Sequence, residues 1–520
     1  MRAQERQQTG GWRRIAGAAG LAVLVALAGC ASLVPPPAGV PSAWMATSSP
    51  EALRCGKWLE ALDAATASAH VRDGAAHQIP GFAWLRVDRF LASFRADVSA
   101  SGTAVPAPFA AWLTRLEALD VQGRSAELAN LPDQAVPEGL AKPAAALRTQ
   151  ACRTHLSSAV AQSPALRQQL MDRAQVPDDY QDWKRALGLY PLTRLPFFAG
   201  VQNWQSGLQA RFDAGSVSPQ AGTWLRYVPQ AQTLEPAEVA AVLAAMPHNA
   251  LGVPRPDATQ EQRLLDAYAP VLAVETKGAF DRFGGLRWGT GPAPEVLTDV
   301  PLAYRRMAWT RYGSAVLPQL VYSFWFPARP PAGGFDVLAG RLDALVLRVT
   351  LASDGTPLMV DSIHACGCYH LFFPVGAVTP RPAPVPDEEW TFVPKTLAAM
   401  RPGQRVAVQI ESGTHYLVGI RPDTGESGAT YAAESDDALR SLPVSAGDQS
   451  SGGAGGTRSA FWPSGIMAGT ERGERVLFWP MGIDSPGAMR QWGRQPTAFV
   501  GRRHFDDARL LEERFNLSLP

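Results

Sequence analysis

The chain has 520 residues, of which 46% are hydrophobic and 18% charged, with 48 Lys plus Arg against 47 Asp plus Glu. That apolar share can bury a large core, so disorder as the main state is excluded, because disorder needs few apolar residues and a strong charge imbalance. A net charge of +1 likewise excludes a strongly basic protein with nucleic acid as its main partner.

Arg2, Arg6, Arg13 and Arg14 make a basic start, and Ile15 to Ala28 make an apolar run of 14 residues. The run is too short to span a bilayer and carries the charged flank of a secretory signal. It ends Leu27-Ala28-Gly29-Cys30, which resembles the lipobox of bacterial lipoproteins. This resemblance covers the first 30 residues only. It implies that residues 1–29 are removed as a signal peptide, that the Cys30 thiol receives a diacylglycerol, and that the new amine is acylated. Each buried acyl CH₂ contributes about 0.8 kcal/mol, so two or three chains hold a protein firmly at a membrane. Ala31 stands where an Asp would resemble an inner-membrane retention signal, which implies the outer membrane with the body facing the periplasm. Four arginines and Glu5 leave with the signal, a net +3, so the +1 of the full chain becomes about −2 after cleavage.

Residues 30–48 contain Pro35-Pro36-Pro37 and Pro41 and read as a semi-rigid tether behind the lipid. From Ser49 the pattern is helical: Ser49 can cap, Pro50 suits a first turn, and Cys55, Trp58, Leu59 and Leu62 repeat at helical spacing. Leu85, Phe90, Leu91 and Phe94, then Phe109, Trp112, Leu113 and Leu116, continue such stripes. Further helices are expected near 142–163, 178–188, 236–246 and 257–269, so 49–270 reads as a mainly α-helical domain.

Residues 271–520 read as a mainly antiparallel β domain, a sandwich or a bent sheet, and the fold class as α+β. Strands are expected at Val316–Phe326, Ala344–Leu351, Pro357–Ile363, Arg405–Ile410, Tyr416–Ile420 and Arg475–Phe478. Asp354-Gly355 favours a tight primed turn between two of them. In that register Leu351 faces Leu358, Val349 faces Val360 and Leu345 faces His364, while Arg348 pairs with Asp361 on the other face. A short echo, Phe461-Trp462-Pro463-Ser464-Gly465-Ile466 and Phe478-Trp479-Pro480-Met481-Gly482-Ile483, reads as two similar turns with aromatic anchors.

The densest chemistry lies at His364-Ala365-Cys366-Gly367-Cys368-Tyr369-His370. Alternate residues of a strand share a face, so His364 and Cys366 continue the apolar face and the cluster should be at least partly buried. A straight strand would hold His364 and His370 about 20 Å apart, too far for one metal, unless Gly367 introduces a bulge or turn. Three readings compete: a Cys366–Cys368 disulfide, a zinc or copper site using His364, Cys366, Cys368 and His370, and plain packing. The other mature cysteines, Cys55 and Cys152, both lie on expected helices, and pairing them keeps the two domains separate.

His415 follows Ser412-Gly413-Thr414 and reads as a solvated turn residue, with an added metal ligand as the alternative. His504, Asp506 and Asp507 read as a capped start to a helix over 508–515. No Gly-x-Ser-x-Gly, Gly-x-Gly-x-x-Gly, phosphate-loop or His-Glu-x-x-His motif occurs, which leans away from an enzyme. The expected function is a lipid-anchored binding or assembly component of the cell envelope with a protein or glycan partner. The alternative is a periplasmic metal-binding or thiol-redox protein centred on Cys366 and Cys368.

Overall fold

The computed structural model describes residues 49–102, 104–215, 224–444 and 456–519, all within one compact unit, Pro41–Pro520. Cys30 and the tether lie outside the described residues. The fold is α+β: a largely helical region leads into a large, mostly antiparallel curled sheet. No helix among the described residues is long and apolar enough to cross a membrane.

Helix α1 (Pro50–Ser68) starts from an extended Ser49 with proline in its first turn and buries Cys55, Trp58, Leu59 and Leu62. Strands β1 (His77–Ile79) and β2 (Phe82–Val87) pair antiparallel. The stripe from Leu85 to Phe94, expected as helix, divides here: Leu85 belongs to β2, and Asp88 caps a single helical turn at Arg89–Ala92. Five of the six β2 side chains are buried, Arg86 among them, so the run is buried on both faces and its periodicity cannot distinguish strand from helix. Helices α2 (Ala107–Asn130), α3 (Lys142–Gln162) and α4 (Pro164–Arg173) complete this layer. A disulfide joins Cys55 on α1 to Cys152 on α3, with Cα atoms 5.1 Å apart across 97 residues of sequence.

Helices α5 (Asp182–Leu187) and α6 (Tyr190–Asp213) follow, the second absent from the sequence expectation because Pro191 and Pro196 punctuate it. Then come β3 (Trp224–Pro229), α7 (Pro236–Ala244), α8 (Ala258–Ala267) and β4 (Val271–Glu275). The remaining long strands are β7 (Leu302–Tyr312), β8 (Ala315–Arg329), β9 (Gly340–Leu351), β10 (Pro357–His364), β11 (Leu371–Pro374), β13 (Val406–Ile410), β14 (Leu417–Pro422) and β15 (Ala429–Ser435). Short pairs accompany them: β5 (Gly285–Trp288) with β6 (Pro294–Leu297), β16 (Leu442–Pro443) with β17 (Thr457–Arg458), and β12 (Thr379–Pro380) with β18 (Phe515–Asn516).

Ten strands form one sheet in the order β11-β10-β9-β8-β7-β15-β3-β4-β13-β14. Pairing is antiparallel from β11 to β7, and parallel where β15 meets β7 and β3 and where β13 meets β4. One face packs Leu345, Leu347, Val349 and Val360 against α6, α7 and α8. The other packs Ala344, Val346 and Ile363 against the C-terminal segment through Met467, Met489 and Phe505.

The β9–β10 hairpin has the register read from its sequence: Leu345 opposite His364, Val349 opposite Val360, and Arg348 opposite Asp361. Only the turn end differs, where Leu351 meets Pro357 and the register shifts before Met359. Arg475–Phe478, expected as a strand, lies in helix α9 (Glu474–Phe478), which leads directly into the tight turn at Trp479–Met481. The last helix, α10, spans Leu510–Arg514.

Arg348 and Asp361 are both sealed from solvent and bonded at 2.5 and 2.9 Å. Replacing Arg348 by Met leaves a carboxylate with no counter-charge from β9 in the interior, so Arg348→Met should lower unfolding stability by about 3–5 kcal/mol. The double variant Arg348→Met/Asp361→Leu should recover part of that loss, as read from urea unfolding curves.

Candidate functional site

Strand β10 ends at His364, and the chain reverses there. The Gly367 N–H donates to His364 O at 2.8 Å, and the His364 N–H donates to Cys368 O at 3.0 Å. Gly367 sits at φ +93° and Tyr369 at +63°. A Cβ on Gly367 would collide with the Pro496 carbonyl, so this position requires glycine twice over, for conformation and for space. His364, Cys366, Cys368 and His370 are all buried, as the hairpin register leads one to expect.

The turn separates the four residues instead of gathering them. His364 lies on the Leu345 face, where its Nδ1 is 3.3 Å from Asp343 Oδ1. Its Nε2 has no hydrogen-bond partner among the described residues, and His364 borders a cavity of about 10 Å³ with Trp204, Tyr369 and Tyr416. His370 serves the opposite face, with Nε2 2.9 Å from Asp361 Oδ2 and its ring against Phe372 and Phe505. Cys366 leaves the apolar face it was expected to continue and packs on the Ile363 side, because the strand has already ended. Among the described residues, no group of three or more His, Cys, Asp or Glu is placed to hold one metal ion.

Cys366 and Cys368 are unbonded thiols, unlike the disulfide among the three readings; the Cys366 sulfur instead accepts the Cys368 N–H at 3.3 Å. The neighbouring Cys366 thiol and burial together hold Cys368 well above its ordinary range, so at neutral pH it is protonated and a poor nucleophile. The cavity beside the pair, bordered by Glu389, Pro496 and Phe499, measures about 20 Å³, room for about one water.

His415, read as a solvated turn residue, is fully buried. Its Nδ1 lies 2.9 Å from Asp343 Oδ2, its Nε2 lies 3.5 Å from Asp281 Oδ1, and its ring stacks on Phe326 at 4.0 Å. Burial disfavours the imidazolium, but bonds to Asp281 and Asp343 outweigh burial and raise His415 above its ordinary value. Asp343 also meets Arg472 at 3.3 Å. Despite its own burial, the charges of His364 and Arg472 hold Asp343 well below the usual carboxylate range. His364 is shifted down, chiefly by burial, and burial likewise pushes His370 down to about 3. The acids that organise this cluster, Asp281 and Asp343, come from distant segments and carry no motif. Only their placement among apolar residues at Phe280 and Leu342 could have signalled burial.

His504, Asp506 and Asp507 do not cap a helix over 508–515. Asp506 bonds Arg89 at 3.2 Å, Asp507 accepts the His504 N–H at 2.7 Å, and α10 starts without a side-chain cap. The two echo segments do form equivalent turns: the Gly465 N–H reaches Trp462 O at 2.8 Å and the Gly482 N–H reaches Trp479 O at 3.0 Å, with both glycines at positive φ.

A second feature was missed in the sequence. Residues 186–201 contain one charge, Arg194, yet Leu187, Leu189, Leu192 and Leu195 lie in solvent. No residue of α6 before Leu208 is buried. Leu187 is 70% exposed, Leu192 66%, and Val476 on α9 68%. The two apolar segments form a continuous surface: Phe197 meets Phe478 at 5.3 Å, and Arg185 Nε donates to Met481 O at 2.9 Å. The readable signal was the run itself, too apolar for a loop and interrupted by prolines where a core helix would not be.

No known protein family matches the chain, and no curated protein or solved structure is similar to it.

Thiol counting with metal analysis checks the buried pair: the native protein should hold no stoichiometric zinc or copper and react with thiol reagents only on unfolding, then at two sites. His415 gives a pH test. Its raised folded value means its stabilisation is complete below about pH 6.5, the unfolded value, and fades as pH rises through the folded one. The stability gap between wild type and His415→Gln should therefore be larger at acidic than at alkaline pH in paired urea titrations.

Proposed function

We propose that the chain is a lipid-anchored component of the bacterial outer membrane, facing the periplasm, that binds or assembles other envelope material and does not catalyse a reaction. The lipobox at Leu27–Cys30 and the tether to residue 48 support the anchoring. The Cys55–Cys152 disulfide supports an oxidising compartment. The observation that carries the binding reading is the apolar surface at α5, α6 and α9. A monomer gains nothing in folding from large apolar side chains left in water, and contiguous exposed apolar surface marks interaction sites. The His and Cys cluster fits a structural role in this reading, since its histidines are committed to buried carboxylates and Cys368 is held as a thiol.

Mass analysis of the protein extracted from envelopes should find an N-terminal peptide that begins at Cys30 and carries diacylglycerol and an amide-linked acyl chain. Cys30→Ser should abolish that mass and release the protein from the membrane fraction. An unlipidated N-terminus formed by ordinary signal cleavage would overturn the anchoring.

A further inference from the structure

The exposed apolar surface has a composition and a charge that select one kind of partner. Trp183, Leu187 and Leu192 on α5 and α6 adjoin Val476, Leu477 and Trp479 on α9 and the turn after it, and all six are exposed. Aromatic and aliphatic side chains mixed in this way suit the boundary between headgroups and acyl chains. From 182 to 200 the charged residues are the exposed Asp182, Lys184, the buried Arg185 and Arg194, and from 474 to 482 they are Arg475 and the buried Glu474. Lys184 and Arg194 lean on acids just outside the surface, Asp484 at 2.9 Å and Glu388 at 3.7 Å. Arg475 is exposed beside Val476. The charges not buried within these segments are thus three basic, Lys184, Arg194 and Arg475, against one acidic, Asp182, a balance that favours anionic headgroups.

The tether supplies the second argument. Cys30 lies 19 residues before Ser49, a stretch that spans at most about 65 Å when extended. A body held that close meets the bilayer at high effective concentration, so even a weak apolar contact with lipid is populated. A protein partner would have to be recruited, whereas the bilayer is always within reach. We infer that the surface formed by α5, the first half of α6 and α9 seats in the headgroup layer of an anionic phospholipid bilayer, as a second membrane contact beside the lipid on Cys30. This inference rests on the lipoprotein reading above and adds the face by which the body lies on the membrane.

The test is amide hydrogen exchange on the full-length acylated protein bound to vesicles of phosphatidylethanolamine with phosphatidylglycerol, with flotation run in parallel. Exchange over 186–198 and 474–479 should slow about tenfold or more on binding, and the effect should weaken in phosphatidylcholine vesicles and at high salt. In Leu192→Asp/Leu477→Asp, two exposed positions whose change leaves the core intact, the slowing should vanish while flotation through the acyl chains persists. Unchanged exchange in vesicle-bound wild-type protein overturns the inference. Slowing without vesicles that grows with protein concentration overturns it in favour of a second copy, and slowing only on adding envelope proteins overturns it in favour of a protein partner. The mass of the Cys30 peptide separately reports the anchor. Should that peptide prove unlipidated, the apolar face alone must bring wild type to anionic vesicles about tenfold better than the double variant.

Discussion

Arg348 and Asp361 stand opposite each other on β9 and β10, and neither side chain touches solvent. A buried ion pair costs more in desolvation than its attraction returns unless every remaining donor and acceptor is also used. Here they are used. The guanidinium places Nε and Nη2 on the two Asp361 oxygens, reaches the Phe505 carbonyl through Nη1, and lies 3.8 Å above the Phe505 ring. Asp361 takes a further bond from His370. A slip of β10 by one residue would turn Asp361 onto the face occupied by Leu345, Leu347 and Val349 and leave Arg348 without its carboxylate on the other. The pair thus fixes the register of the hairpin, and the register fixes where the 365–368 turn falls. The bond to Phe505 then stitches the C-terminal segment to the same spot.

That dependence explains how far the sequence could be read. Alternation along Leu345–Leu351 and Leu358–His364, with a turn pair between them, specifies partners at one-residue precision, because a period of two leaves only one arrangement with the apolar side chains inward. The helices from 50 and 142 were legible for the same reason, each with a proline start and an apolar stripe. What failed was either buried all round or not buried at all. Strand β2 is buried on both faces and loses its period, whereas α6 is apolar over its first half but packs through few residues beyond Trp204, Leu208 and Phe212. The parallel pairings of β15 join segments far apart in the chain, and no local pattern announces them.

Of the three readings of 364–370, the geometry fits plain packing. Four soft ligands at a spacing of two can meet one metal only where the chain bends to gather them, and the strand does stop at His364. Beyond it, a Gly367 conformation closed to other residues swings the chain round, so the flanking histidines serve opposite faces of the sheet. Each then meets a carboxylate brought from elsewhere, Asp343 for His364 and Asp361 for His370. Buried imidazoles need such partners more than they need a metal, because an unmet ring nitrogen in an apolar interior forfeits its bond to water. His415 completes the pattern by bridging Asp343 and Asp281, which ties the 411–416 loop and the 277–281 turn to the end of β9.

The same accounting isolates the surface at α5, α6 and α9. Nearly every large apolar side chain in the sheet and the helical layer finds a buried neighbour, and α6 is held through its second half. Leu192 and Leu195 in its first half could carry polar residues at little cost to the fold, since both are exposed. Helix α9 is similar: Glu474 faces inward, and Val476 and Leu477 face out. Folding therefore explains the positions of these helices but not their residues. The missing term is a contact made outside the chain, and on the lipid-anchored reading proposed above the membrane would supply it without a further partner.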